Sequence, residues 1–423
     1  MGMRSGAGTR DVTPARDDGS SYWGIMLGTF LASLGYGMVG PFLPIHAKSA
    51  GASTVLAGLV MSGMGLGRVL INIPAGHFGD RHGHKAVIVC GGLVWALVGI
   101  LYSGARTVGP LVPLAFAMGL GRGIQWTGLL SSAGSLSNPR TRGRIISTLS
   151  TFDILGYCPG PVIGGILAEK MGPGAPFLAL AALEAMSALV VMALCKEGRR
   201  QSLKPAQPGM ILKQSTPAQR GLPKFFYLVA AGQFMIFFGA SGTFGTIMPL
   251  IGVSRCGLTP SEVGGALSVG LVLMVVSIQI AGRCFDAGLK WQALAGGTCA
   301  GVVSMAVLAR AQTAGTFTGA IAGMVFASGF VYTVPPALAA GLAGQSGLGG
   351  VMGLLQTAGD AGNCAGPVIQ GLVSDLAGGN YAVPVLLHAS IYFSVFISLA
   401  AALRKGLEAG PSDSGYDQCA RHP

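Results

Sequence analysis

The chain has 423 residues, of which 51% are apolar, only 10% are charged and 70 are glycine, with a formal net charge of +12. Soluble domains carry roughly a quarter charged residues, so a water-soluble globular fold is excluded, and the apolar content excludes the disorder that so much glycine would otherwise suggest. The basic residues sit in short segments between apolar runs, which excludes a nucleic-acid-binding surface as the reason for the positive charge.

Taken in chain order, residues 1–22 form a polar tail with no apolar core ahead of a cleavage site, so no secretory signal is expected and the first span itself serves as the uncleaved insertion signal. Six apolar spans follow at 23–45, 54–78, 86–104, 109–136, 145–168 and 176–195. A Pro- and Gln-containing basic stretch, 196–224, reads as a linker. Six more spans lie at 225–252, 262–282, 291–309, 314–339, 351–375 and 382–403, and a polar tail closes the chain at 404–423. Each span approaches or exceeds the roughly 20 residues that a helix needs to cross a bilayer. An even number of spans puts both termini on one side. That side collects most of the Lys and Arg, whereas the opposite loops hold only Lys48, Arg106, Lys170, Arg255 and Arg310. The positive-inside rule makes the basic side cytoplasmic. The expectation is therefore an all-α, multi-pass protein of the cell's inner membrane with both termini, and the linker, in the cytoplasm.

The two sets of six spans repeat each other. Gly160-Pro161-Val162-Ile163 recurs as Gly366-Pro367-Val368-Ile369, 206 residues later, and Gly76 and Asp80 recur as Gly282 and Asp286 at the same offset. Gly37 and Pro41 recur as Gly245 and Pro249. Copies inserted the same way round give two pseudo-symmetric six-helix bundles about an axis along the membrane normal, 23–195 and 225–403, with a path between them.

Five ionisable residues lie well inside spans: Arg68, Arg122, Asp153, Glu184 and Asp360. Each is costly in hydrocarbon and is a functional candidate on that ground. Burial raises a carboxyl pKa and a nearby Arg lowers it, so a conformational change in the distance to Arg68 or Arg122 would load and unload a proton. Asp360 ranks first as carrier, Asp153 second and Glu184 third; static ion pairs between helices are the alternative. The eight cysteines form no CxxC pair and read as packing residues. Gly63, Gly65 and Gly67 lie in mid-span after no strand, so they form no dinucleotide loop, and no catalytic constellation accompanies them. No enzyme activity and no cofactor are expected. His77, His82 and His84 lack the ligands that would complete a metal site.

Three motifs carry a resemblance, the third of them in part. Gly76 to Lys85, GHFGDRHGHK, is similar to the GxxxDRxGRR signature of the major facilitator superfamily, with His84 in place of an Arg. Gly156 to Gly165, GYCPGPVIGG, matches the GxxxGPxxGG pattern of that superfamily's twelve-span drug:proton antiporters. The fourth span's Arg122-Gly123-Ile124-Gln125-Trp126 resembles the family's RxxQG element in part, since Trp126 replaces a glycine. The resemblance implies the major facilitator fold and a cytoplasmic gate built from Gly76, Asp80, Arg81, Gly83 and Lys85, with Gly282 and Asp286 as its second-half copy. It also implies a bent, tightly packed fifth helix through Gly156, Gly160, Pro161, Gly164 and Gly165, mirrored by Gly366 and Pro367, and a part for Arg122 in proton coupling. The function it implies is secondary active export of small organic molecules, drug-like or metabolite, by proton antiport with alternating access. The runner-up is a proton-coupled or facilitative importer of a small metabolite or organic anion, and behind it a non-transporting scaffold. The expected partners are a small-molecule substrate, protons and the lipid bilayer, without nucleic acid, for a chain acting as a monomer. Candidate substrate contacts on the central faces are Tyr36, Gln125, Trp126, Gln233, Phe237, Ser241, Phe330 and Tyr332, aromatics and amides suited to a moderately apolar ligand.

Overall fold

The computed structural model describes residues 18–136, 142–195, 224–332 and 334–408. Residues 1–17, 137–141, 196–223, 333 and 409–423 lie outside the described residues; the first and last helices reach into the expected tails, beginning at Asp18 and ending at Glu408, and the seventh begins at Lys224, the last residue of the expected linker. Apolar runs without partners in lipid must satisfy every backbone group internally, and helices do so. Among the described residues the chain folds into twelve membrane-length helical elements and no strand.

We number them α1 to α12. Helix α1 runs Asp18–Val39 and continues through Gly40–Phe42 into Leu43–Ser49. Then come α2 (Thr54–His82), α3 (His84–Gly104) and α4 (Val108–Ser135). Helix α5 is broken into Arg142–Tyr157 and Gly160–Met171, and α6 is Ala175–Leu194. Helix α7 joins Lys224–Phe238, a π-helical stretch Gly239–Ile247 and Met248–Ser254. The last five are α8 (Pro260–Asp286), α9 (Lys290–Ala309), α10 (Ala314–Tyr332), α11 (Val334–Leu376) and α12 (Ala382–Glu408). Ten of the twelve meet the length and hydropathy needed to cross a bilayer. The other two, α4 and α11, are diluted by Arg122 and Gln125 and by Gln356, Asp360, Asn363 and Gln370.

One boundary differs from the sequence reading. The tenth span was expected to reach 339 and the eleventh to begin at 351, yet α10 ends at Tyr332 and 334–350 already belong to α11. Ala and Leu dominate 337–343, and no proline follows Pro336 until Pro367, so nothing there stops a helix.

The 206-residue repeat recurs as geometry. Helix α5 packs on α1 through Gly156, Gly160 and Gly164: a Cβ on Gly160 would stand 2.5 Å from Gly37 Cα, and Cβ atoms on the other two would strike the backbone of Phe30 and Met38. In the second half Gly362 and Gly366 set α11 against the backbone of Phe234 and Phe238 in α7 in the same way. Small residues permit this approach, which supplies the packing energy that water cannot drive in lipid. The two copies differ where their prolines differ. Pro159 and Pro161 interrupt α5 after Tyr157, whereas α11 has Ala365 opposite Pro159 and stays continuous through its single Pro367.

The halves meet along two seams. On α2 the residues Thr54, Gly58, Ser62, Gly65 and Arg68 face Asp375, Pro367, Cys364, Asn363 and Asp360 of α11. The matching seam sets Pro161, Gly165 and Glu169 of α5 against Gly264, Pro260 and Ser261 of α8. Both seams therefore lie toward the end of the molecule where α2 and α8 begin. Leu70, Leu97, Leu189, Val303 and Leu376 are exposed on the outer surface, as a lipid-facing belt requires.

Candidate functional site: a central cavity and its buried charges

Between the halves lies a cavity of about 330 Å³, within the range of small-molecule sites. Tyr36, Arg68, Arg122 and Tyr157 line it from the first half, and Phe237, Ser241, Thr243, Phe244, Tyr332, Asn363, His388 and Tyr392 from the second. Six methionines complete the wall: Met61, Met64, Met235, Met274, Met305 and Met324. A thioether is apolar, polarisable and free to rotate, so this wall adapts to ligand shape. Of the eight expected substrate contacts, Tyr36, Phe237, Ser241 and Tyr332 line the cavity. Gln125, Trp126, Gln233 and Phe330 do not. Helical periodicity alone left their faces undecided, and each is turned into its own bundle. Phe330, for example, packs edge-on against Phe326, with its Cβ over Gly297.

The buried charges pair up. Arg122 Nη2 lies 3.2 Å from Asp153 Oδ1, joining α4 to α5, and Ser33 of α1 donates its hydroxyl to the same carboxylate oxygen. The Arg122 guanidinium is also enclosed by three rings, at 5.5 Å from Tyr36, 5.3 Å from Trp95 and 5.1 Å from Trp126. Trp126 thus meets the site through Arg122. Arg68 Nη2 stands 3.5 Å from Asp360 Oδ1, and this pair links the two halves. Gln356, one turn earlier on α11, donates to the same Asp360 oxygen at 3.3 Å. Glu184 is wholly buried inside the first bundle, where its Oε2 accepts from Gln125 Nε2 at 2.5 Å. Among the described residues, its Oε1, Gln125 Oε1 and Arg122 Nη1 find no hydrogen-bond partner. The three acids therefore occupy two environments: Asp153 and Asp360 each face a guanidinium, and Glu184 faces an amide.

The sequence reading did not single out a polar cluster on the second half's wall. Thr243 Oγ1 is 2.7 Å from His388 Nδ1 and 3.0 Å from Gln370 Oε1. These groups meet because α7 widens into a π-helix over GASGTFGTI, where three small polar residues and three glycines weaken the ordinary helical ladder. A π-helical turn breaks the 3.6-residue period that sequence patterns rely on. The only sequence signal was His388 itself, a titratable group in an apolar span.

At the far end, Gly83 links α2 to α3 with φ of 96°, a conformation that a Cβ disfavours and that accounts for a glycine at this point of the motif. Lys85 Nζ donates to the Met192 carbonyl at the C-terminal end of α6, at 2.9 Å, and Arg81 is exposed. The side chains of Asp80 and Asp286 lie outside the described residues. Among the described residues, a Cβ on Gly76 would meet only Thr127 Cγ2, at 3.9 Å, and one on Gly282 would meet nothing within 4 Å. In this conformation the motif end is not the tightly packed one. His77 and His82 each bond back to a carbonyl of their own helix, Ile73 at 3.0 Å and Phe78 at 3.3 Å.

Comparison with known proteins follows the same lines. A 171-residue stretch is 32% identical to an uncharacterized MFS-type transporter of Methanocaldococcus jannaschii, covering 39% of this chain and 43% of that one, so the match spans less than half of that relative. The quinolone resistance protein NorA of Staphylococcus aureus is 23% identical over 385 residues, covering 88% of this chain and 92% of NorA. In three dimensions the crystal structure of the nucleoside transporter NupG superposes with a TM-score of 0.71 at 13% identity, over 91% of this chain and 99% of that one. Residues 25–367 match the sequence profile of the Major Facilitator Superfamily. The chain belongs to that superfamily of membrane transporters.

Proposed function

We propose that the chain exports small organic molecules across the cell's inner membrane by proton antiport, alternating access to the central cavity between the two sides. The observation that carries this reading is the Arg68–Asp360 pair, whose arginine lines the cavity and whose two members come from opposite halves. A charge pair that spans the moving interface changes its geometry when the halves rock. Rocking separates the Asp360 carboxylate from the Arg68 guanidinium in one access state and rejoins them in the other, so a proton can take the guanidinium's place as the carboxylate's partner while the pair is open. That is the cycle a proton-coupled carrier needs. The Arg122–Asp153 pair stays within one half and serves as an electrostatic anchor beside the cavity. The twelve-helix arrangement, the glycine-packed fifth helix and the likeness to NorA support export. On the charge argument of the sequence, the seam end of the molecule faces outward and the Gly76–Lys85 end faces the cytoplasm, so the structure is inward-open. Both termini and the linker then lie in the cytoplasm.

Asp360→Asn tests the reading. Everted membrane vesicles energised to an acid interior should accumulate a quinolone through the wild-type protein. The variant should lose at least tenfold of that proton-driven flux. Undiminished flux would remove Asp360 from the role. A second reading, import of a small organic anion or metabolite, is favoured by the two guanidinium groups on the cavity wall. Its signature is uptake into right-side-out vesicles with no accumulation in everted ones.

A further inference from the structure

The start of α2 is capped in an unusual way. Ser53 accepts the Leu56 N–H at 3.2 Å, but the first turn of α2 contains no acidic residue of its own. The repeat-related helix α8 does have one: Thr259 and Glu262 form a reciprocal box, Thr259 N donating to Glu262 Oε2 at 2.9 Å and Glu262 N donating to Thr259 Oγ1 at 3.3 Å. Position 56 corresponds to position 262 at the 206-residue offset, and Leu56 stands there. The carboxylate for α2 comes instead from the other half. Asp375, at the C-terminal end of α11, accepts the Thr54 N–H at 3.1 Å through Oδ1 and the Val55 N–H at 2.9 Å through Oδ2.

The repeat places Glu169 at the position of Asp375, and Glu169 makes the converse crossing. It accepts from Ser261 at the start of α8. Here the acceptor takes a hydroxyl because the residue matched to Thr54 is Pro260, which has no N–H to give. Both carboxylates stand at the C-terminal end of their own helices, where the helix dipole disfavours a negative charge, and both reach the N-terminal end of a helix in the other half, where it favours one. Their own helices do not account for them; the crossings do.

Building on the alternating-access reading, we propose that Asp375 and Glu169 are positioning residues for transport: paired trans-caps that hold the seam end shut and set the balance between the two access states. The bonds exist only while the halves touch at this end. When the halves part there, Thr54, Val55 and Ser261 turn to water. Asp375, half-buried and bonded to two backbone N–H groups, carries more of the effect than the exposed Glu169.

The test is a distance measurement on the full chain in lipid nanodiscs. Spin labels go at Gly109 and Gly315, repeat-related positions at this end with nothing within 4 Å of a Cβ, after the native cysteines are replaced. Loss of a helix cap shifts the governing equilibrium about fivefold. Asp375→Ala should raise the ratio of long to short distances by about that factor, Asp375→Asn by less because its amide oxygen still accepts one N–H, and Glu169→Ala by about twofold. Adding Leu56→Glu to Asp375→Ala separates gating from simple capping, since it returns an acid to α2 in cis. A distribution that stays shifted supports the gate, and a return to the wild-type distribution overturns it. Unchanged distances in Asp375→Ala, in a protein whose wild type shows both populations, also overturn it while leaving the transport reading intact. A wild type with a single distance at every pH contradicts both.

Discussion

Arg122 shows what a single residue costs and what it supplies. A guanidinium at mid-span is expensive unless paired, by at least ~2.5 kcal/mol on insertion scales, and here it has a carboxylate, Asp153, and three aromatic faces. Each ring contact is worth about 0.5–2 kcal/mol depending on its desolvation. A lysine keeps the charge but presents no plane to stack and no fork for the carboxylate. Arg122→Lys is therefore expected to reach the membrane in normal amount yet lose about tenfold or more of its transport, with a lowered thermal midpoint in detergent. Wild-type flux in that variant would show that charge alone suffices. The sequence disclosed Arg122 because an arginine in an apolar run stands out. It could not disclose the cage, because Tyr36 and Trp95 come from helices whose facing depends on tertiary packing. For the same reason Gln125 was expected at the ligand, and it bonds Glu184 instead.

At the scale of helices, the most legible features were those where chemistry restricts the choice of residue. The proline of the fifth-helix motif announced a bend in α5, and the glycines around it announced a close helix contact, though not that α1 makes it. The glycines are not alike, however. A Cβ on Gly160 would overlap the backbone of Gly37, whereas Gly282 stands in open space. Overpacking of this kind costs about 1–3 kcal/mol, so Gly160→Val should lower the thermal midpoint clearly and reduce transport. Gly282→Ala should change stability by less than about 0.5 kcal/mol. Thermal-shift measurements on both variants check the pair, and equal destabilisation would contradict the packing described here. The least legible elements were α7, where the π-helical stretch shifts every later side chain out of the regular period, and the start of α11, where an apolar Ala- and Gly-rich stretch carried no signal to separate loop from helix.

Across the whole molecule, the repeat was readable because three features share nearly one offset, and that offset then organises the interface: Gly58 on Pro367 answers Gly264 on Pro161, and Asp375 answers Glu169. The cavity was readable only as a place, since its six methionines resemble core residues in any apolar span. What joins these parts into a machine is the claim that proton movement and substrate movement share one interface. The most direct measurement reconstitutes the purified protein in sealed liposomes with no pH gradient, imposes a gradient of a quinolone across the membrane, and follows internal pH with a trapped indicator. Antiport predicts that quinolone running outward draws protons inward, so the interior acidifies, and that Asp360→Asn abolishes the signal. Quinolone flux with no change of internal pH, or with protons moving the same way as the quinolone, would contradict the account.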